Sequence, residues 1–237
     1  MSEWKAKRFW TSAAVVQTTD GFAVELDGRG VKTPAKRALV LPSRGFAQAV
    51  AEEWDAQVET INPNTMPATK TANAAIDKVA VQHAEVADML AAYGDSDLLC
   101  YRAEAPEELV ARQRAQWDPM LDWAAEALDA RLMPRTGVMH APQDPAATAR
   151  LRARTHALGP FELAAFHDLV SLSGSLVLGF AAALEVFPAE DIWAVSRLDE
   201  SWQEEQWGED DEATAMAEIK KSALMHAARM FNLSHRD

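Results

Sequence analysis

Over the first sixty or so residues, apolar and polar positions alternate with a period close to two, the pattern of half-buried strands. Ala13 to Gln17 is one such run, Thr19-Asp20-Gly21 a turn, and Phe22 to Leu26 a second run. Asp27-Gly28-Arg29-Gly30 supplies residues that tolerate positive φ, so the chain can return through Val31-Lys32-Thr33, closed by Pro34, and then Ala38 to Leu41. A small antiparallel sheet is predicted. Pro42-Ser43 opens a helix, with Ser43 as its N-cap and Phe46, Ala49, Val50, Glu53 and Trp54 at helical spacing.

The proline-bearing stretch Ile61 to Pro67 interrupts regular structure, and beyond it the period changes to 3.6. The expected division is a β-rich domain over 1–66 and a helical domain over 67–237. Ala72, Ile76, Val79, His83, Val86, Leu90 and Tyr93 fall on one stripe and predict a single amphipathic helix. Leu98 to Tyr101 reads as a buried strand or extended segment. Helices are expected from Pro106, from Asp118-Pro119 as a restart, and from Pro145, Pro160, Pro188 and Asp210. The last carries Met216, Ile219, Ala223, Ala227 and Met230 on one face. The fold class is therefore α+β: a small antiparallel β-rich N-terminal domain followed by a larger all-helical C-terminal domain.

Charge changes this picture. The 237 residues carry a formal net charge of -13, which disfavours a nucleic-acid partner, because phosphate backbones are bound by clustered Lys and Arg. The longest uncharged run, between Asp168 and Glu185, is too short to span a bilayer and predicts a buried helix, so no membrane insertion is expected. One cysteine, Cys100, and a charged start without an apolar leader point to a reducing compartment, with the cytoplasm as the default.

Candidate chemistry is sparse. The six histidines show no paired ligand spacing, so no metal is expected; His83 and His167 read as structural. Gly28-Arg29-Gly30 lacks the glycines and the following helix of a phosphate cradle, and no cofactor is expected. Ser171, Ser173 and Ser175 lack the surroundings of a nucleophile elbow. No catalytic residue is assigned.

Carboxylates are the exception. From Glu185 to Glu212 eleven acidic residues face Arg197 alone, with Trp193, Trp202 and Trp207 among them. Val195, Leu198 and Trp202 share one inward helical stripe, which leaves Asp199, Glu200, Gln203 and Glu204 off it. Tryptophan among polar groups is enriched at protein interfaces. The predicted partner-binding residues are Glu200, Glu204, Trp207, Glu209 and Asp210. A second candidate surface is the basic set Lys5, Lys7, Arg8, Arg29, Lys32, Lys36, Arg37 and Arg44, whose alternative role is intramolecular pairing. The competing functional class is a hydrolase using paired C-terminal carboxylates in an interdomain cleft.

A series of short motifs runs through nearly the whole chain: Lys7-Arg8-Phe9-Trp10, Leu26-Asp27-Gly28-Arg29, Lys32-Thr33-Pro34, and Ala51 through Gln57. It continues with Thr65-Met66-Pro67, Asp97 through Arg102, Trp117-Asp118-Pro119, Asp199 through Gln203, and Trp207-Gly208-Glu209-Asp210. In this order they resemble the F-type ATP synthase assembly chaperones that hold the free alpha subunit of the catalytic head. That resemblance implies a non-enzymatic protein that keeps the alpha subunit from aggregating until it pairs with beta. It also implies a bacterial cytoplasmic protein, the eukaryotic relatives acting in the mitochondrial matrix. The oligomeric state is left open, with a monomer as the starting assumption.

Overall fold

The computed structural model describes residues 7–235. The predicted antiparallel sheet forms from β1 (Ala13–Thr18), β2 (Gly21–Leu26), β3 (Arg29–Gly30) and β4 (Val40–Leu41). Its third strand, however, is Arg29–Gly30, expected in the turn, while the predicted strand Val31-Lys32-Thr33 keeps only an isolated bridge from Lys32 to Ala38. β2 is central. It pairs along its length with β1, while its other edge takes Gly30 and Arg29 opposite Glu25 and Leu26, and Leu41 and Val40 opposite Phe22 and Ala23. Helix α1 (Arg44–Asp55) begins at Ser43, whose Oγ accepts from the Phe46 amide at 3.0 Å as a cap should, and it packs on this sheet. Phe46, Val50, Val24 and Leu41 are fully buried there.

Glu53, at the end of α1, organises the next element. Its carboxylate accepts from the amides of Ala68 (2.5 Å) and Thr69 (2.8 Å), two of the orphan donors at the start of α2 (Pro67–Ala74). The helix predicted to run on from here is broken: a π-helical turn spans Ala75–Val79, and α3 (His83–Ala91) starts afresh. The cause is a long-range contact. Arg37 donates to the Ile76 carbonyl at 2.7 Å, the acceptor that the Ala80 amide would use in an α-helix, and the Ala80 amide bonds Ala75 instead at 2.9 Å. Asp77 in the same turn accepts from Thr33 Oγ1 (2.8 Å) and the Ala35 amide (3.0 Å). The Lys32-Thr33-Pro34 motif is thus tied to the turn that interrupts the stripe.

Leu98–Cys100 forms a 3-10 turn leading into β5 (Tyr101–Arg102), which pairs in parallel with β6 (Arg135–Thr136). Between them α4 (Glu107–Ala127) is continuous, so the expected restart at Asp118-Pro119 does not occur. Pro119 removes one backbone bond, but Trp117, Met120 and Leu121 around it are buried and hold the helix together. Asp118 caps nothing and instead pairs with Arg102 at 2.8 Å.

The remaining helices are α5 (Pro145–His156), α6 (Pro160–Ser173), α7 (Leu176–Ala183), α8 (Ala189–Ser196), α9 (Leu198–Trp207) and α10 (Asp211–Leu233). Every residue of α7 is buried, as the uncharged run predicts. Among the described residues, no helix is long and apolar enough to cross a membrane.

The chain packs as two compact units. Among the described residues, the first contains residues 7–83 with the sheet, together with residues 159–165 and 229–235. The second contains residues 84–158 and 166–228. In the first unit Ser43 Oγ donates to the Leu233 carbonyl, and Phe46 meets Phe161 edge-on at 5.4 Å.

Candidate functional site

In the second unit, α4 is the platform on which the acidic segment is mounted. Trp117 is fully buried, its ring lies under the Arg102 guanidinium at 5.3 Å, and its indole N–H donates to the Val195 carbonyl at 3.0 Å. Arg102 also donates from Nε to the Leu99 carbonyl at 2.7 Å, tying the motif Asp97 to Arg102 to Trp117-Asp118-Pro119. One turn earlier, Gln113 Oε1 accepts from the Ala103 amide (2.9 Å) and its Nε2 donates to Asp199 Oδ1 (2.7 Å). Arg112 stacks over Trp202 at 4.8 Å and donates to Glu205 Oε1 at 2.7 Å. That bond holds the Glu205 carboxyl below the usual carboxylate range.

Arg197, between α8 and α9, is the one cation in the acidic run. Its guanidinium lies over Trp193 at 5.6 Å, donates to Glu204 at 2.9 Å, and comes within 4.0 Å of Glu200. Val195 and Leu198 are buried and Trp202 half-buried, the predicted inward stripe. The predicted outward set divides. Asp199 and Glu204 are bound to Gln113 and Arg197, whereas Glu200, Glu209 and Asp210 are exposed. Trp207, at the end of α9, is 79% exposed. Asp210 Oδ1 accepts from the Ala213 amide at 2.8 Å, so this carboxylate also caps α10.

The structure therefore places Glu200, Trp207, Glu209 and Asp210 on an acidic surface with a bare indole, and Glu204 in the ion pair beneath it. Arg112, Gln113 and Trp117, which fix α8 and α9, were not assigned from sequence. No local pattern marks a helix face that pairs with residues about eighty or ninety positions away.

Asp97 is the other carboxylate of note. It is fully buried, accepting from the Leu99 amide on Oδ1 and from the Val177 amide on Oδ2, both at 3.1 Å. It thus satisfies a free donor at the start of α7, beside the N-cap Ser175, which accepts from the Leu178 amide at 3.0 Å. Burial pushes its carboxyl up to about 6, outweighing these hydrogen bonds. Burial also pushes the neighbouring Cys100 thiol up to about 12, the state of an inert thiol.

The other candidates resolve simply. Arg8 donates to the carbonyls of Trp10, Thr11, Asp55 and Gln57, Arg37 to that of Ile76, and Arg44 lies over Phe22 at 5.7 Å. These three basic residues serve the sheet and its surroundings; Lys5 lies outside the described residues. His167 pairs with the adjacent Asp168 at 2.9 Å, a bond that raises its pKa. Among the described residues, no group of three His, Cys, Asp or Glu could hold a metal. The first unit has a cleft of about 420 Å³ lined by Val40, Leu41, Pro42, Phe161 and His235, distant in sequence from the acidic run.

The profile of the ATP12 chaperone protein family matches residues 7–125. The structure of Atp12 from Paracoccus denitrificans is 48% identical and superposes with a TM-score of 0.95, over 98% of this chain and 100% of that one. A putative chaperone from Agrobacterium tumefaciens is 43% identical, with a TM-score of 0.90 over 96% of this chain and 85% of that one. The mitochondrial protein atp12 of Schizosaccharomyces pombe is 26% identical over 219 residues, 87% of this chain and 75% of that protein.

Proposed function

The chain belongs to the ATP12 chaperone family, which serves ATP synthase assembly and is not enzymatic, and from that premise we propose that it binds the unassembled alpha subunit through Glu200, Trp207, Glu209 and Asp210, with Glu204 holding the surface in shape. A subunit waiting for its partner exposes an apolar interface that aggregates if left bare. Release comes from competition by beta, each tenfold in affinity being worth about 1.4 kcal/mol. Binding is accordingly stoichiometric. The working compartment is the bacterial cytoplasm, the mitochondrial matrix being that of the eukaryotic relatives.

The observation that carries this reading is the exposed Trp207 beside Glu209 and Asp210, which form no ion pair among the described residues, with Glu200 only at 4.0 Å from Arg197. Acidic rims steer association with a basic surface, and buried aromatic anchors carry most of the affinity. The hydrolase alternative required Glu200 or Glu209 in a deep cleft; both are exposed, and the family is one of chaperones.

Co-expression with the ATP synthase alpha subunit tests the proposal, scored as soluble complex against an alpha-free control. Glu200→Lys with Glu209→Lys should weaken capture and flatten its salt dependence. Unchanged capture and unchanged salt dependence would show that this surface is not the contact.

A further inference from the structure

The apolar face of α10 does not stop where its cover stops. Ala227 is buried and Ala223 half-buried, but Ile219 and Met216, next along the same face, are 63% and 51% exposed. Most of the preceding residues of α10 are exposed as well. A bare apolar stripe thus begins two turns from a covered one, and only Gly208 to Asp210 separate α10 from the exposed Trp207.

The borders of the stripe are predominantly acidic, with Lys220 and Lys221 as the cations that follow Ile219. Between Leu198 and Ile219 there are nine acidic residues and no Lys or Arg. Asp199, Glu204 and Glu205 are engaged by Gln113, Arg197 and Arg112, whereas Glu200, Glu209, Asp210, Asp211, Glu212 and Glu218 remain exposed.

We infer that Met216 and Ile219 are the apolar anchor for an amphipathic helix of the unassembled subunit, one carrying Lys or Arg beside its own apolar stripe. This rests on the alpha-subunit reading and extends the same site along α10. A helix laid against such a stripe meets it with residues at i, i+3, i+4 and i+7, and its flanking cations face the carboxylate rim. A second copy of this chain is the poorer fit. A two-fold contact would set the same six carboxylates against themselves with Lys220 and Lys221 as the nearby cations to offset them, and an excess of like charge brought together across an interface opposes association.

The test uses the full chain with Met216→Ala and Ile219→Ala together, and Met133→Ala with Met139→Ala as a control at exposed methionines elsewhere. Two probes are measured: co-expressed alpha subunit, and a fluorescein-labelled 18-residue Leu/Lys amphipathic peptide with its Leu/Glu counterpart. With circular dichroism unchanged, the stripe variant should bind alpha and the Leu/Lys peptide at least about tenfold more weakly. The control should match wild type and the Leu/Glu peptide should not bind.

Alpha bound equally well by wild type and stripe variant overturns the stripe and leaves the alpha-subunit reading standing. Stripe-dependent capture of the Leu/Lys peptide without any alpha complex does the reverse. If no alpha complex forms and peptide binding is the same for both proteins, both fall. Stripe-dependent dimerisation in sedimentation overturns the assignment in favour of self-association.

Discussion

Replacing Asp97 by Asn isolates the energetic consequence of burying a carboxylate at the head of α7. The folded protein holds the Asp97 proton up to about pH 6, whereas the unfolded chain releases it near the ordinary aspartate value of 3.8. Folding therefore takes up a proton between those values, and by linkage the contribution is most favourable below pH 3.8 and is lost as pH rises through about 6. A shift of about two units at about 1.36 kcal/mol each corresponds to roughly 3 kcal/mol, most of it lost between pH 4 and pH 7. Asn cannot ionise, so the variant lacks this pH dependence.

Asn also presents an NH2 where Asp97 offers an acceptor to Leu99 or Val177, so the variant is the less stable protein in acid. The stability gap between wild type and Asp97→Asn, from urea unfolding at a series of pH values, should therefore narrow by about 2–3 kcal/mol from pH 4 to pH 7. The carboxyl carbon of Asp97 should titrate near pH 6 by NMR. A gap constant across this range, or a carboxyl titrating near 4, would refute the reasoning, because an ionised Asp97 would then be compensated as well inside the protein as in water.

Gly179→Ala should destabilise by about 1–3 kcal/mol, since the new methyl would sit 2.6 Å from Val170 Cγ2; the denaturant midpoint should recover in part when Val170→Ala is added. Trp117→Phe removes the indole bond to Val195 and should cost about 1 kcal/mol in equilibrium unfolding while keeping most of the apolar burial. Arg112→Ala should raise the pKa of Glu205 toward the ordinary glutamate value, read from its carboxyl carbon.

The elements legible in the sequence are those fixed within a few residues. The turn between β2 and β3 follows from Asp27 and Gly28, which take φ of 48° and 79°, and α1 begins at Ser43 because a serine hydroxyl can accept from the third amide. The outward charge at Glu200 followed from helical period, and Glu209 and Asp210 from the run of acids around Trp207. What the period could not reveal is who competes for a group. The stripe through Ile76 and Val79 looks unbroken until Arg37 claims a carbonyl from it, and Glu204 looks free until Arg197 turns toward it. Asp118-Pro119 looks like a helix start because the burial of Trp117 and Met120, which keeps the helix intact, comes from distant segments.

The bond from Ser43 to Leu233 joins residues 190 positions apart in sequence, and the same unit draws on Phe161. On a ribosome, the sheet and α1 are made early but cannot be closed over until residues beyond 229 have emerged. The N-terminal unit is therefore begun first and finished last. Through most of synthesis Phe46 and its neighbours lack part of their cover, so this chaperone spends its own translation with an uncovered apolar surface, the condition in which it is proposed to meet its client.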